Sequence, residues 1–184
     1  TNLSQDHLDY HKNLKNYLKA KLYLFKNLIK KDGNVITDEK ISEFTKIKKI
    51  ALNKNLNFFS LLDKRNNFQF LSHEFEGEAQ IIKFRHSNSI HKIKINLIGK
   101  IQLKNILMAI IAAVKSNIDI KKIFKVMSKI RSAEGRFERV GKIKNKSKII
   151  LDYAHTPGAL RTCLKNLNEQ FPGRKISLVF GCGG

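Results

Sequence analysis

The end of the chain constrains its fold most, because it reads as a strand, a helix and a second strand in succession. The apolar runs KIILDYAH, from Lys148, and KISLVFGCGG, from Lys175, are strand-like, and a helix is expected between them over residues 157–171. Pro157 would stand at the first helical position, which suits proline. A βαβ unit of this kind predicts a parallel sheet with a right-handed crossover. One such unit cannot cover both faces of its sheet, so we expect the chain to stop inside this domain.

Upstream of this unit, helical and strand-like patterns alternate. Apolar residues at helical spacing predict a helix over residues 12–30, which the KDGN turn ends. Residues 46–98 divide into five strand-like runs, namely KIKKIAL, FFSLL, FQFL, AQIIKF and HKIKINLIG. The most apolar helix is expected over residues 101–118, and a shorter one over 120–130. The polar segment 131–147 has no periodicity and is interpreted as a connection between two domains.

The composition limits the class of protein. The 184 residues are 42% apolar, which supports a real core. The sequence has no run of about 18 uncharged apolar residues and no secretory leader pattern. Its two cysteines, Cys163 and Cys182, form neither a disulfide framework nor a zinc motif. We therefore expect a cytoplasmic protein without a membrane partner.

The charge is strongly positive and admits a polyanionic partner such as nucleic acid, an acidic membrane or a nucleotide. There are 36 Lys and Arg residues against 15 Asp and Glu, which gives a net charge of +21. Lysine far outnumbers arginine and is spread along the whole chain, as an AT-biased genome would produce. Because a nucleic-acid footprint needs a patch rather than total charge, solvated lysine faces are the favoured interpretation. A basic nucleic-acid-binding module is the alternative.

The first residues, TNLSQDHLDYH, concentrate groups that handle metals and protons, and a helix that carries Lys21 follows. If one straight helix joined His7 to Lys21, the 14 positions between them would span about 21 Å. The two side chains can share a site only where residues 6–11 fold back as a loop. His7 would then be a candidate metal ligand. A loop histidine and a surface lysine are the alternatives.

Two further motifs carry candidate chemistry. In LDYAHTPGAL, Asp152 follows an apolar strand and His155 precedes a helix N-terminus. Ligands gather at the carboxyl ends of strands in open α/β sheets, and a helix N-terminus offers N–H groups to an anion. In GRFE, Arg136 lies between the two domains, where it is suited to bridge a phosphate. A capping turn with an incidental histidine and a hinge salt bridge are the alternative interpretations.

Taken in order, TNLSQDHLDYH, GKIQLKNILMAIIAA, GRFERV, DYAHTPGAL and VFGCGG resemble the Mur ligase family, most closely its MurE type, over essentially the whole chain. The resemblance implies an α/β fold. Residues 1–134 would be the C-terminal part of a P-loop-type ATPase central domain, and residues 135–184 the first βαβ of a Rossmann-like C-terminal domain. The UDP-binding domain, the phosphate loop and the segment that reads the amino acid would lie outside this chain. The chain would then be an internal fragment that is not competent alone.

The resemblance also implies roles for the residues of the N-terminal motif. Lys21 would be carbamylated on its amine and would bind Mg²⁺ together with His7. A carbamate suits this position better than a free ammonium group, which would repel the metal.

A second set of roles concerns ATP. Gln102 and Asn105 would contact adenine, with Gln102 standing where the family usually has asparagine. Arg136 would reach the phosphates or ribose, Asp152 the ribose, and His155 would act near the phosphates.

The reaction implied is a step of cytoplasmic peptidoglycan precursor synthesis. ATP would phosphorylate the D-glutamyl γ-carboxylate of UDP-MurNAc-L-Ala-D-Glu, and the amine of a diamino acid would attack the acyl phosphate. The residues leave open whether that amino acid is meso-diaminopimelate or L-lysine, and the resemblance favours the former. ATP and Mg²⁺ would be the cofactors, the protein a monomer, and nucleic acid no partner. A folylpolyglutamate synthase or another muramoyl ligase of the same superfamily is the alternative.

Overall fold

The computed structural model describes residue 3 and residues 8–61, 68–143 and 147–181. The helices are α1 (Leu8–His11), α2 (Leu14–Tyr23), α3 (Phe44–Asn53), α4 (Lys100–Lys115), α5 (Ile120–Met127) and α6 (Pro157–Gln170). The strands are β1 (Asn34–Thr37), β2 (Asn57–Ser60), β3 (Phe68–Glu76), β4 (Ala79–His86), β5 (Ser89–Ile95), β6 (Glu138–Lys142) and β7 (Lys148–Leu151). Within these ranges, no helix combines the length and the apolar character that crossing a bilayer requires.

The helix predicted over residues 12–30 is present but divided into two types. Asn13 caps α2, its side chain accepting from the backbone N–H of Asn16, and α2 continues as a π-helical segment over Leu24–Leu28. Lys12 before it has a positive φ of 66°, which separates α2 from the short helix α1. The apolar face of α2 packs through Leu22 on a small core.

That small core belongs to a parallel β1–α3–β2 unit, in which the strands pair in register from Asn34 with Asn57. The prediction of a strand at KIKKIAL is wrong, because this run lies within α3. Its apolar residues Ile47, Ile50 and Ala51 recur at spacings of three and four, so a helix places them on one face. Ile47 and Ala51 are buried there.

The main core lies between an antiparallel sheet, in the order β3-β4-β5, and the helices α4 and α5. The strands predicted at FQFL, AQIIKF and HKIKINL and the two predicted helices are confirmed. Helix α4 buries five residues of its apolar face in this core. The core members with the least exposure are Ile82, Phe84, Ile95, Leu107, Ile110 and Ile111.

The last part of the chain differs from its prediction. Strand β7 pairs antiparallel with β6, which lies in the segment expected to be only a connection. The first strand and the helix α6 of the expected βαβ are confirmed, but the described residues after α6, up to 181, form no strand, so its second strand is wrong there. Helix α6 covers one face of β7, where Ile150 packs with Cys163 and Leu167, but the described residues after α6 pair with no strand. Val179 is accordingly 96% exposed.

Candidate functional site

The loop after β7 is tied to the turn that precedes β6. Asp152 accepts two backbone N–H groups, from Phe137 at 2.9 Å on Oδ2 and from Ala154 at 3.0 Å on Oδ1. The N–H of Tyr153 donates to the carbonyl of Gly135 at 2.7 Å. Each carboxylate oxygen has a second lone-pair site, so Asp152 is both anchored and able to accept from a ligand hydroxyl.

This arrangement holds Phe137 in a strained backbone conformation. Its φ is +51°, in a region that bulky residues rarely adopt, and only 6% of the residue is exposed. Its N–H is held by Asp152, and its ring lies beside Gly99 at the start of α4. The turn GRFE therefore joins the loop after β7 to the first turn of α4.

Two basic side chains meet on the ring of Tyr153. The guanidinium carbon of Arg136 lies 5.1 Å from the ring centroid, a cation–π contact. The ring of His155 lies 4.9 Å from the same centroid, edge to face. His155 Nδ1 is 2.9 Å from the Tyr153 carbonyl, so this nitrogen is the protonated one. All three side chains are exposed, so the Arg136 guanidinium and the His155 ring are accessible just before α6 begins.

The polar residues of α4 join the same cluster. The Gln102 side-chain amide donates to the Arg136 carbonyl at 3.3 Å, and Asn105 donates to Gln102 Oε1 at 3.3 Å. Asn105 is exposed and Gln102 half-buried. The structure thus brings together five sequence-predicted site residues from three separate segments. They are Gln102, Asn105, Arg136, Asp152 and His155.

The negative charge of Asp152 affects the thiol of Cys163 on helix α6. Burial raises the pKa of the Cys163 thiol to about 11, and the negative charge of Asp152 contributes in the same direction. Helix α6 begins at Pro157, two residues after His155, and the hydroxyl of its N-cap residue Thr156 accepts the N–H of Ala159. The site therefore places one carboxylate and one helix N-terminus within five residues of chain.

Lys21 stands on another helix, α2. It lies exposed in the last turn of α2, with its ammonium nitrogen 4.8 Å from the centroid of the Tyr17 ring. His11 stacks on that ring at 4.8 Å. His7 lies outside the described residues. Among the residues that are described, no three His, Cys, Asp or Glu side chains are grouped to hold a metal ion.

Sequence reasoning missed the residues that hold the cluster in place. Tyr153 had no assigned role, although it stands inside the DYAH motif. Asn166 and Gln170 on α6 contact the start of α4, and so does Gln80 on β4. Nothing in the sequence distinguishes these amides from other polar helix and strand residues, because only the tertiary fold buries them.

Family models match both parts of the chain. The Mur ligase middle domain matches residues 1–113, and the Mur ligase glutamate ligase domain matches residues 135–184. Among curated relatives, the UDP-N-acetylmuramoyl-L-alanyl-D-glutamate--2,6-diaminopimelate ligase of Rickettsia bellii is 36% identical over 185 residues. The protein of the same description from Caulobacter vibrioides is 31% identical over 184 residues. The whole chain is covered in both cases, but it spans only 38% of either relative.

Solved structures resemble the fold as well. A UDP-N-acetylmuramoyl-L-alanyl-D-glutamate--2,6-diaminopimelate ligase superposes with a TM-score of 0.70 and 26% identity, over the whole chain and 37% of that protein. MurF from Acinetobacter baumannii gives 0.75 at 17% identity, over 92% of this chain and 36% of MurF. A folylpolyglutamate synthase complex with AMPPCP and folate gives 0.71 at 16% identity, over 93% and 41%. The last two similarities concern the fold alone.

Proposed function

This chain belongs to the Mur ligase family, and from that premise we propose that the full-length protein joins meso-diaminopimelate to UDP-MurNAc-L-Ala-D-Glu at the expense of ATP. The printed descriptions of relatives up to 36% identical support this choice of substrates. The observation that carries the proposal is the cluster of Gln102, Asn105, Arg136, Asp152 and His155 around one loop. We place the domain boundary between residues 134 and 135, and we expect a cytoplasmic monomer.

In this proposal the cluster binds ATP. The amides of Gln102 and Asn105 offer a donor and an acceptor, which suits the edge of an adenine ring. Asp152, fixed by two backbone N–H groups, accepts from the ribose hydroxyls. Arg136 and His155, gathered on the Tyr153 ring, attract the phosphates and offset their charge.

The chemistry proposed has two steps. A γ-carboxylate oxygen of the D-glutamyl residue attacks the γ-phosphorus of ATP, the bond to the bridging oxygen breaks, and ADP leaves. The amine of meso-diaminopimelate then attacks the acyl carbon, phosphate leaves with the C–O electron pair, and the nitrogen loses its proton. Because phosphoryl transfer needs charge neutralisation more than covalent help, a basic cluster suits it.

We further propose that Lys21 is carbamylated and binds Mg²⁺. The amine of Lys21 is exposed at the end of α2, where CO₂ can reach it. His7, which lies outside the described residues, would be the second ligand, as the family resemblance implies. Bound Mg²⁺ would neutralise charge on the ATP phosphates.

The test uses the full-length protein and measures phosphate release, which should require both UDP-MurNAc-L-Ala-D-Glu and meso-diaminopimelate. L-lysine in place of meso-diaminopimelate should give little release. Lys21→Ala should abolish ligation without changing the circular dichroism spectrum, and added bicarbonate should not rescue it.

Lys19→Ala is the matched control, because Lys19 is an exposed lysine on the same helix. It should retain activity. Near-normal turnover by Lys21→Ala would refute the carbamate. Phosphate release that ignores both substrates would refute the proposed function itself.

A further inference from the structure

Helix α4 begins without a capping side chain of its own. Its N-cap residue is Gly99, with φ 88° and ψ 133°, and no side chain of that turn accepts its first N–H groups. Such N–H groups have no partner within the helix and need one elsewhere. The first turn of α4 is also the turn that carries Gln102, so its orientation matters to the cluster.

The missing cap is supplied by α6, from more than sixty residues later in the chain. Gln170 Oε1 accepts the N–H of Gly99 at 2.7 Å, and Asn166 Oδ1 accepts the N–H of Ile101 at 3.1 Å. Both side chains are more than nine-tenths buried, at 3% and 8% exposure. Two buried amides of one helix therefore cap another helix.

The remaining donors of these amides are also paired, which fixes the orientation of each. Asn166 Nδ2 donates to the Thr162 carbonyl at 2.8 Å, and Gln170 Nε2 donates to the Glu78 carbonyl at 2.9 Å. From strand β4, the fully buried Gln80 donates to the Gly99 carbonyl at 3.1 Å. A buried network in which every member is satisfied rigidifies the groups it joins.

The cap is joined directly to the candidate site. Ile101 directly precedes Gln102, which contacts the Arg136 carbonyl, and Asn105 follows one turn later. A Cβ built on Gly99 would lie 3.3 Å from Phe137 and 3.4 Å from Asn166, so α4, α6 and the GRFE turn meet at this glycine. Movement of the cap would therefore move both amides that face the nucleotide.

We propose that Asn166 and Gln170 are positioning residues for the nucleotide. They hold the first turn of α4 so that Gln102 and Asn105 meet the base, and they do not contact ATP themselves. This inference rests on the proposed function, because it assumes that α4 binds the base.

The test compares Asn166→Leu and Gln170→Met in the full-length protein with Asn168→Leu, an exposed amide on the same helix. Each of the first two removes the side-chain acceptor of one backbone N–H at the start of α4, from Ile101 or from Gly99, and should raise the KM for ATP about tenfold. The KM for UDP-MurNAc-L-Ala-D-Glu should stay within about twofold, because α4 does not face that substrate in the proposal. Asn168→Leu should change neither constant.

A conservative variant separates positioning from general stability. Asn166→Asp keeps an oxygen for the Ile101 N–H, and a carboxylate suits a helix N-terminus. Its KM for ATP should therefore be close to that of the unchanged protein, although it loses the donor to Thr162. If Asn166→Leu does not fold, Asn166→Ser takes its place, since its hydroxyl is too short to reach Ile101.

Combination with Asn105→Ala completes the test. If Asn166 acts through α4, the double variant should have little more effect on the KM for ATP than Asn105→Ala alone. Fully additive effects, or an equal rise in the KM of every substrate, would overturn the inference. If Asn105→Ala raises the KM for ATP and Asn166→Leu does not, the inference about Asn166 fails while the proposed function stands. If the unchanged protein consumes no ATP, the proposed function fails first.

Discussion

Replacement of Gly99 by alanine should destabilise the protein through two separable effects. The backbone of this residue has φ 88° and ψ 133°, a combination that residues with a Cβ avoid. The new Cβ would also lie 3.3 Å from the Phe137 Cζ and 3.4 Å from the Asn166 Oδ1. Both of these neighbours are buried, so neither can simply turn into solvent.

The magnitude follows from these two terms. Placing a residue with a Cβ at such a φ costs about 1–3 kcal/mol. The close contacts require shifts of a few tenths of an ångström in a packed region, which adds about 1 kcal/mol. We therefore expect Gly99→Ala to lower the free energy of unfolding by about 2–4 kcal/mol.

Substitutions at two other glycines separate the cost of the backbone conformation from the cost of the close contacts. Gly173 has a φ of +74° with nothing within 4 Å of a new Cβ, so Gly173→Ala should show the backbone cost alone, about 1–2 kcal/mol. Gly158 lies near the start of α6, without a positive φ and with open space around it. Gly158→Ala should stabilise by about 0.4–1 kcal/mol.

Urea unfolding followed by far-ultraviolet circular dichroism measures all three, since the chain has no tryptophan to report by fluorescence. The expected order of stability is Gly158→Ala, then the unchanged protein, then Gly173→Ala, then Gly99→Ala. If Gly99→Ala cost no more than Gly173→Ala, the close packing around Gly99 would contribute nothing and the reasoning would be refuted.

Three further predictions concern ionisable groups. Asp152→Ala should raise the KM for ATP in the full-length protein, and an unchanged value would argue against a ribose contact. Because its pKa is raised from 9.0 to about 11, Cys163 should react with iodoacetamide at pH 8 at least about a hundredfold more slowly than N-acetylcysteine, by peptide mass spectrometry. Burial lowers the pKa of His73 below 6.5, so the unfolded state binds more protons and the free energy of unfolding falls as the pH drops below about 6.5. His73→Gln should reduce the difference between the free energies of unfolding that urea titrations give at pH 5 and at pH 7. A difference as large as that of the unchanged protein would contradict the prediction.

The sequence predicted helices and strands correctly where the spacing of apolar residues fits only one type of element. Helix α4 has apolar residues on one face over 16 positions, and HKIKINL alternates as a half-buried strand should. The run KIKKIAL has helical spacing at Ile47, Ile50 and Ala51, but it is too short for that period to stand out, and its burial with Val35 and Leu56 shows the helix. Strand β6 was missed because the polar sequence ERVGK carries no apolar alternation, and its pairing with β7 supplies the order instead.

The candidate site was predictable to a similar degree. Motifs and family resemblance selected Arg136, Asp152 and His155, and the fold brings the turn that carries Arg136 against the loop that carries the other two. The resemblance could not indicate Asn166 or Gln170, since their importance comes from hydrogen bonds to residues more than sixty positions away. Polar residues of a helix reveal such a role only when tertiary contacts bury them.

The cap on α4 also has a consequence for the order in which the chain acquires its structure during synthesis. The main core uses residues up to Ile130, so it can form before α6 exists. The ribosome needs about 3–13 s to add the 65 residues between Ile101 and Asn166. During this interval the body of α4 can already lie against its sheet while its first turn frays. The first turn of α4 is therefore synthesised before the rest of that helix but becomes ordered after it.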